Sequence, residues 1–332
     1  MFLKRLTMIV AVTALVSMTC FDVTPALAKA KEFIGSLPGP IETAQGQGME
    51  YFGKRVGELT NGEYSLKVFP NSQLGKHHEV LEQLQNGQVD MMTIPPGYLA
   101  EYAPAVQAVV VPFIFRDFEH WKATVDGPIG RKLYDIAKKD AKVLILGYFG
   151  GSVRNLVSKK KVTSLDGVKN LLLRLHPSDV QLAAWQSVGA IPTVVAYPEI
   201  YNALQLGVID ALENEPEWVT RMKFYEQAKY IVLTKHEIVT RPLLFSAKVF
   251  EGLPADIQKK VIQAGAEAAK YQRELEHKLD GEFLAALKDK YGAEIIDIDR
   301  TPFREKAAKA VKPAIKKLGI EDLVEEISRF GK

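Results

Sequence analysis

The chain has 332 residues, long enough for two domains of ordinary size, and its 25% charged and 47% hydrophobic residues describe an ordinary globular protein. A formal charge of +3, with no Lys/Arg block interleaved with aromatics, argues against a nucleic-acid partner; Lys159-Lys160-Lys161 is a run of three and reads as a solvated turn. The single cysteine, Cys20, lies in the first 28 residues.

Those 28 residues read as a removable export leader. Lys4 and Arg5 form a positive start, Leu6 to Val16 an apolar run, and Ala26-Leu27-Ala28 a small-residue cleavage site. The apolar run is shorter than the ~20 residues that span a bilayer. Removal lowers the formal charge to about +2 and leaves no cysteine, which rules out disulfides, thiol catalysis and Cys-ligated metals in the mature chain. Lipidation of Cys20 is the alternative, although Ser17-Met18-Thr19 before it matches such a signal poorly.

In chain order, residues 32–35 predict a strand and residues 42–59 a helix, with Met49, Phe52, Val56 and Leu59 on one face and Thr60-Asn61-Gly62 as the stop. Residues 64–69 predict a strand, 77–85 a helix and 89–94 a short strand before Pro95-Pro96-Gly97. Residues 118–138 read as helix broken at Gly127-Pro128, and 142–149 as a strand entering a flexible Gly150-Gly151 lead-in to Arg154. A strand over 171–175 and a second over 208–212 follow. Residues 218–233 predict a long amphipathic helix, 238–245 a strand, 254–291 nearly continuous helix and 294–298 a strand, with polar helices to the end.

One unit recurs. Leu84-Gln85-Asn86-Gly87-Gln88-Val89-Asp90 and Leu204-Gln205-Leu206-Gly207-Val208-Ile209-Asp210 match at an offset of 120, each reading as helix, glycine cap and buried strand. The alternative is chance likeness between common junctions. Two such units predict an α/β fold of two lobes, each a mostly parallel sheet flanked by helices. Ligands of such sheets bind beyond the carboxyl ends of the strands, which places Thr93, Pro95 and Asn214 at a cleft between the lobes.

No phosphate-cradling glycine loop, metalloprotease helix, nucleophile elbow or metal-spaced Cys/His set occurs, so no cofactor, metal or catalytic residue is assigned. His77 and His78 point apart on a helix and read as surface residues. The positive signal is a set suited to anions. Arg174 lies in the apolar run Leu171-Leu172-Leu173-Arg174-Leu175, and a buried guanidinium needs an anionic partner. That partner is either a structural carboxylate or a ligand carboxylate held by two parallel hydrogen bonds. Arg154 is a second such cation or a loop charge; Asn214 is an amide donor or a turn residue; Tyr197 is an aromatic wall or core.

The motifs also carry a resemblance. Phe69-Pro70-Asn71-Ser72-Gln73-Leu74-Gly75, Val111-Pro112-Phe113-Ile114-Phe115 and the long segment from Pro198-Glu199-Ile200-Tyr201 to Gly207-Val208-Ile209-Asp210 are similar to signatures of the solute-binding proteins of tripartite ATP-independent periplasmic (TRAP) transporters, of the C4-dicarboxylate-binding kind. The likeness covers the whole mature chain. It implies that Arg174 pairs with a substrate carboxylate, that Arg154 and Asn214 complete the pairing, and that Tyr197 closes over the ligand. Departures are Asn170 for a usual glycine, Leu172 for a usual lysine, and Glu215 inserted before Pro216.

The resemblance further implies an exported, non-enzymatic, monomeric periplasmic protein that captures a small organic acid by hinge closure and delivers it to the small and large integral-membrane subunits of the transporter. Lobe I would comprise 29–151 plus 239–280, and lobe II 152–238 plus 281–332. A C4-dicarboxylate is the default ligand. Substrate choice falls to first-lobe residues near Thr93-Ile94-Pro95 and Leu37-Pro38-Gly39, whose apolar or neutral character argues against a multiply hydroxylated acid and leaves room for keto acids or aromatic carboxylates. The other readings are a ligand-sensing partner of a membrane receptor and a secreted hydrolase or isomerase.

Overall fold

The computed structural model describes residues 30–331. The expected leader, its cleavage site and Cys20 lie outside them. Strand β1 (Lys31–Ser36) leads through helix α1 (Ala44–Leu59) to β2 (Tyr64–Phe69), and α2 (His77–Asn86) leads on to β3 (Met91–Thr93). Helices α3 (Phe118–Asp126) and α4 (Pro128–Asp140) precede the long strand β4 (Val143–Ser158). Then come β5 (Leu172–Leu175), α5 (Asp179–Ser187), β6 (Ile191–Val194), α6 (Ile200–Gln205), β7 (Ala211–Asn214) and α7 (Pro216–Arg221). A second long strand, β8 (Tyr230–Ser246), is followed by α8 (Ala247–Glu251), α9 (Ala255–Asp289), β9 (Glu294–Ile296), α10 (Thr301–Ala310), α11 (Lys312–Leu318) and α12 (Glu321–Arg329).

These strands share a sheet in the order β2-β1-β3-β8-β4-β7-β5-β6, with β9 beside β8. The two ends, β2-β1-β3 and β7-β5-β6, are parallel, as their helical crossovers require. The middle is antiparallel: β4 pairs with β8 along almost its whole length, so the two lobes are joined by one continuous ribbon. The mostly parallel sheet expected of each lobe therefore holds for the outer strands.

Local chemistry explains the elements that position the site. Helix α1 starts because the Thr43 hydroxyl accepts from the Gly46 N–H at 3.0 Å. It buries Met49, Phe52 and Val56, at helical spacing, against Phe33, Phe245 and the α9 face containing Val261. Each such side chain contributes about 1.5–3 kcal/mol on burial. In the other lobe Ile200, Leu204, Leu212 and Phe224 form the corresponding cluster.

The repeat has a structural counterpart. Asp90 accepts the Ile34 N–H on Oδ2 at 2.6 Å and donates its own N–H to the Ile34 carbonyl at 2.9 Å. Asp210 makes the same two bonds to Leu172, at 3.2 and 2.8 Å. Gly87 and Gly207 precede them at φ 72° and 74°, in the left-handed region that glycine enters without penalty. Each aspartate thus closes a helix–strand junction onto the neighbouring strand.

Three sequence expectations are corrected. The helix over 218–233 ends at Arg221; Lys223 turns left-handed (φ 57°), and Tyr230 already begins β8. Ile231 and Val232 lie in register with Val157 and Leu156 of β4, so pairing overrides the helical period. The strand at 142–149 does not give way to a flexible glycine segment: β4 runs through Gly150 and Gly151 to Ser158. Both glycines have positive φ at a register shift between Gly150 and Val153, and a Cβ on Gly150 would lie 2.0 Å from the Val239 carbonyl oxygen. Third, His77 is buried, although His78 on the next position is exposed as expected.

Candidate functional site

A cleft enclosing about 380 Å³ of space not filled by atoms, counted out to open solvent, lies between the lobes. Topology puts it there. The chain passes its wall just after the carboxyl ends of β1 (Pro38), β3 (Pro95, Tyr98), β5 (His176) and β6 (Tyr197), and at the last residue of β7 (Asn214). Helices α1 and α2 bring Gln45 and His77 in their first turns, and Trp218 comes from α7. The N-terminal ends of α1 and α2 therefore approach the cavity, which favours negative charge there.

Of the residues expected at the site, Arg174, Asn214, Arg154, Tyr197 and Pro95 all line this cavity. Thr93 does not. It lies in an adjoining space of about 210 Å³ that shares Pro38 and His77 as a wall, and its buried hydroxyl has no hydrogen-bond partner.

The three cavity arginines have different surroundings. Arg154 is held by the Glu213 carboxylate on Nε and Nη2, by the Glu213 carbonyl on Nη2 at 2.7 Å, and by Glu215 on Nη1 at 2.9 Å. Burial alone would lower its pKa, but Glu213 outweighs burial and holds it above its ordinary value. The same pair holds the Glu213 carboxyl well below its usual range against the effect of burial. His236 adds an Nε2 3.5 Å from Glu213. Arg241, on β8, bonds Glu215 through Nη2, lies 3.7 Å from Glu276 and sits over the Trp218 ring at 5.6 Å. Burial lowers its pKa to about 10, which leaves it charged at neutral pH.

Arg174 is different. It is 2% exposed, donates Nε to the Val195 carbonyl at 3.0 Å and lies over the Tyr197 ring at 5.7 Å. Among the described residues no carboxylate comes within ion-pair distance, and its two terminal nitrogens have no hydrogen-bond partner. Burial accordingly lowers its pKa. Tyr197 is fixed in turn by the Asn214 Nδ2, which donates to its hydroxyl at 3.1 Å, while Asn214 Oδ1 accepts from the Glu215 N–H.

The two cavity histidines are neutral. His77 stacks on Tyr98, with centroids 4.7 Å apart, and burial together with the Arg174 charge lowers its pKa to about 3. Burial lowers His176 to about 4. With Arg154 and Arg241 matched by carboxylates, the cavity wall has one uncompensated charge, the guanidinium of Arg174.

Sequence reasoning missed Gln45, His77, Tyr98, His176, Trp218 and Arg241. Their types carry no motif; five of them are marked only by a position just past a strand end or in the first turn of a helix, and Arg241, inside β8, has no such mark. The segments expected to be apolar or neutral, around Thr93-Ile94-Pro95 and Leu37-Pro38-Gly39, are joined at the wall by Gln45, His77 and Tyr98, which are uncharged but bring polar atoms.

Comparison with known proteins agrees with this architecture. Residues 38–322 match the family model for bacterial extracellular solute-binding protein, family 7 (DctP). A solute-binding protein of a Sulfitobacter species is 35% identical over 281 residues, covering 83% of this chain and 84% of the relative. The C4-dicarboxylate-binding periplasmic protein DctP of Rhodobacter capsulatus is 32% identical over 270 residues, covering 80% of each. Among solved structures, a TRAP periplasmic solute-binding protein from Sulfitobacter with bound α-D-taluronate superimposes with a TM-score of 0.86 at 33% identity, covering 90% of this chain and 97% of that one. A second Sulfitobacter protein, with bound β-D-galacturonate, gives 0.85 at 28% identity, covering 90% and 99%. The two-lobed α/β fold, the cleft between the lobes and these matches agree: the chain belongs to the DctP family of TRAP-transporter solute-binding proteins, which bind their ligands and are not enzymes.

Proposed function

We propose that this protein captures a small organic acid bearing one carboxylate, of the sugar-acid class, and delivers it to the membrane subunits of a TRAP transporter. The observation that carries the reading is the single unmatched cation, Arg174, buried in the wall of a cavity whose other arginines already have carboxylates. One buried charge calls for one counter-charge; a second ligand carboxylate would meet only neutralised arginines and neutral histidines. Two structures similar to this one hold uronates, which are such acids. The relative named for C4-dicarboxylate binding keeps a dicarboxylate as the competing ligand.

In this reading Arg174 holds the carboxylate through its two free terminal nitrogens. Asn214 and Tyr197 fix the wall beside it, and Pro95 closes the first-lobe side. Arg154, bound to Glu213 and Glu215, shapes the floor and completes the electrostatic surroundings, and Thr93 acts from the adjoining space. Family members are periplasmic, and the expected leader supports export of this chain to the same compartment, where this reading has it act as a monomer. Among the described residues no helix is long and apolar enough to cross a membrane.

Closure would hinge on β4 and β8. The lobes proposed as 29–151 plus 239–280 and 152–238 plus 281–332 divide at the β4–β8 register shift between Gly150/Thr240 and Val153/Ile238, and again at Gly281 within α9. A thermal-melt panel of D-galacturonate, D-glucuronate, succinate and malate tests the proposal. An acid at 100 times its dissociation constant adds about 2.7 kcal/mol to the folded state. Stabilisation by the uronates beyond that by the dicarboxylates is expected; stabilisation by succinate alone would overturn it.

A further inference from the structure

Gln45 is a buried amide with nothing to bond. It is 1% exposed, lines the cavity from the second helical position of α1, and neither its Oε1 nor its Nε2 has a partner. The other buried glutamines among the described residues each have at least one amide atom bonded: Gln107 Oε1 accepts from the Ser178 hydroxyl and the Asp179 N–H, Gln181 Nε2 donates to the Val110 carbonyl although its Oε1 is unpaired, and Gln272 Oε1 accepts from the Gly150 N–H. A buried polar group without a partner costs free energy, so an amide in this state at a cavity wall signals a partner that arrives with the ligand.

The amide also defines the chemistry of that partner. It presents a donor and an acceptor side by side, and a ligand hydroxyl meets both, donating to Oε1 and accepting from Nε2. A carboxylate would satisfy Nε2 but set its negative oxygen against Oε1, and an alkyl chain would satisfy neither. Trp218 Nε1, a second buried donor without a partner, lines the same cavity.

We propose that Gln45 is the specificity residue of this cavity, selecting acids that carry hydroxyls besides the carboxylate over dicarboxylates and hydroxyl-free acids. The inference deepens the sugar-acid reading above and rests on it.

Titration calorimetry of the full mature chain and its Gln45→Met variant with D-galacturonate, alongside hexanoate as the hydroxyl-free acid, tests it. The variant is expected to bind galacturonate at least about tenfold more weakly, since each lost pairing leaves ligand and wall groups unmatched. Hexanoate should be bound no more weakly by the variant than by the parent. The ligand-free variant should melt no lower than the parent, because an unpaired amide has been removed; a purely structural glutamine would lower the melt. Galacturonate affinity within about twofold of the parent overturns the inference while leaving the sugar-acid reading intact. So does an affinity loss accompanied by a lower ligand-free melt. A parent that binds succinate but no galacturonate overturns both.

Discussion

Replacing Arg174 by Met should separate binding from folding. The guanidinium is the one cavity charge with no carboxylate, and its protein contacts amount to one hydrogen bond to Val195 and the stack on Tyr197. Breaking a buried, hydrogen-bonded ion pair costs about 3–5 kcal/mol, and at ~1.4 kcal/mol per tenfold this weakens the acid by roughly two to three and a half powers of ten. The ligand-free protein should respond in the opposite sense. Losing the Val195 bond costs ~1 kcal/mol and the cation–π stack at most ~2, whereas replacing a buried charge with an apolar chain of similar size is neutral or stabilising by about 1–4 kcal/mol. Arg174→Met is therefore expected to melt at or above the parent while its ligand-induced melting shift disappears. Arg174→Ala should bind nothing measurable, and Arg174→Lys should keep a weak remnant, because a point charge cannot reproduce two parallel bonds. Calorimetric titration and scanning calorimetry on the same preparations measure both quantities. A variant that melts well below the parent yet binds within tenfold would refute the reasoning.

The remaining predictions follow from the same geometry. Arg154→Met should do the reverse of Arg174→Met, destabilising the fold by about 3–5 kcal/mol in chemical denaturation, because Glu213 and Glu215 are left buried without their common partner. Glu217 accepts the Ala44 N–H at 3.0 Å across the lobes, and burial, reinforced by Glu276, raises its carboxyl to about 7. Its folded pKa lies above the ordinary 4.5, so its contribution to stability is complete below about pH 4.5 and is lost as pH rises through 7. Glu217→Gln keeps an acceptor for Ala44 and removes the titration. Urea unfolding should then show the variant gaining on the parent between pH 5 and 8 (roughly the interval between the two pKa values and just beyond), and parallel curves would contradict this. Gly97→Ala would place a Cβ 1.6 Å from the Pro177 carbonyl oxygen, backbone against backbone, between the loops that follow β3 and β5. Relief of about 1–3 kcal/mol of overpacking by opening the cleft should weaken ligand binding about tenfold and enlarge the radius of gyration of the ligand-bound protein by small-angle scattering. Unchanged affinity would show that the approach is relieved locally.

Much of this protein was determined by sequence alone, wherever the physics is local. The stop of α1 at Thr60-Asn61-Gly62, the break at Gly127-Pro128, the glycine caps at Gly87 and Gly207 and the parallel-strand junctions repeat in the structure as read. The chemistry of Arg174 was legible for the same reason: an arginine in an apolar strand declares a buried charge without reference to the rest of the fold. Tertiary structure decided what depends on partners distant in the chain. Arg154 is matched by carboxylates 59 and 61 residues away, and no spacing rule announces that pairing. His77 and His78 are adjacent and chemically equal, yet packing on Tyr98 buries one and leaves the other in water. Residues 230–233 have a period compatible with a helix and become strand because β4 offers them a ladder. The unpaired amide of Gln45 exists only once the lobes meet, because burial and the lack of a partner are properties of the assembled cavity and of no segment by itself.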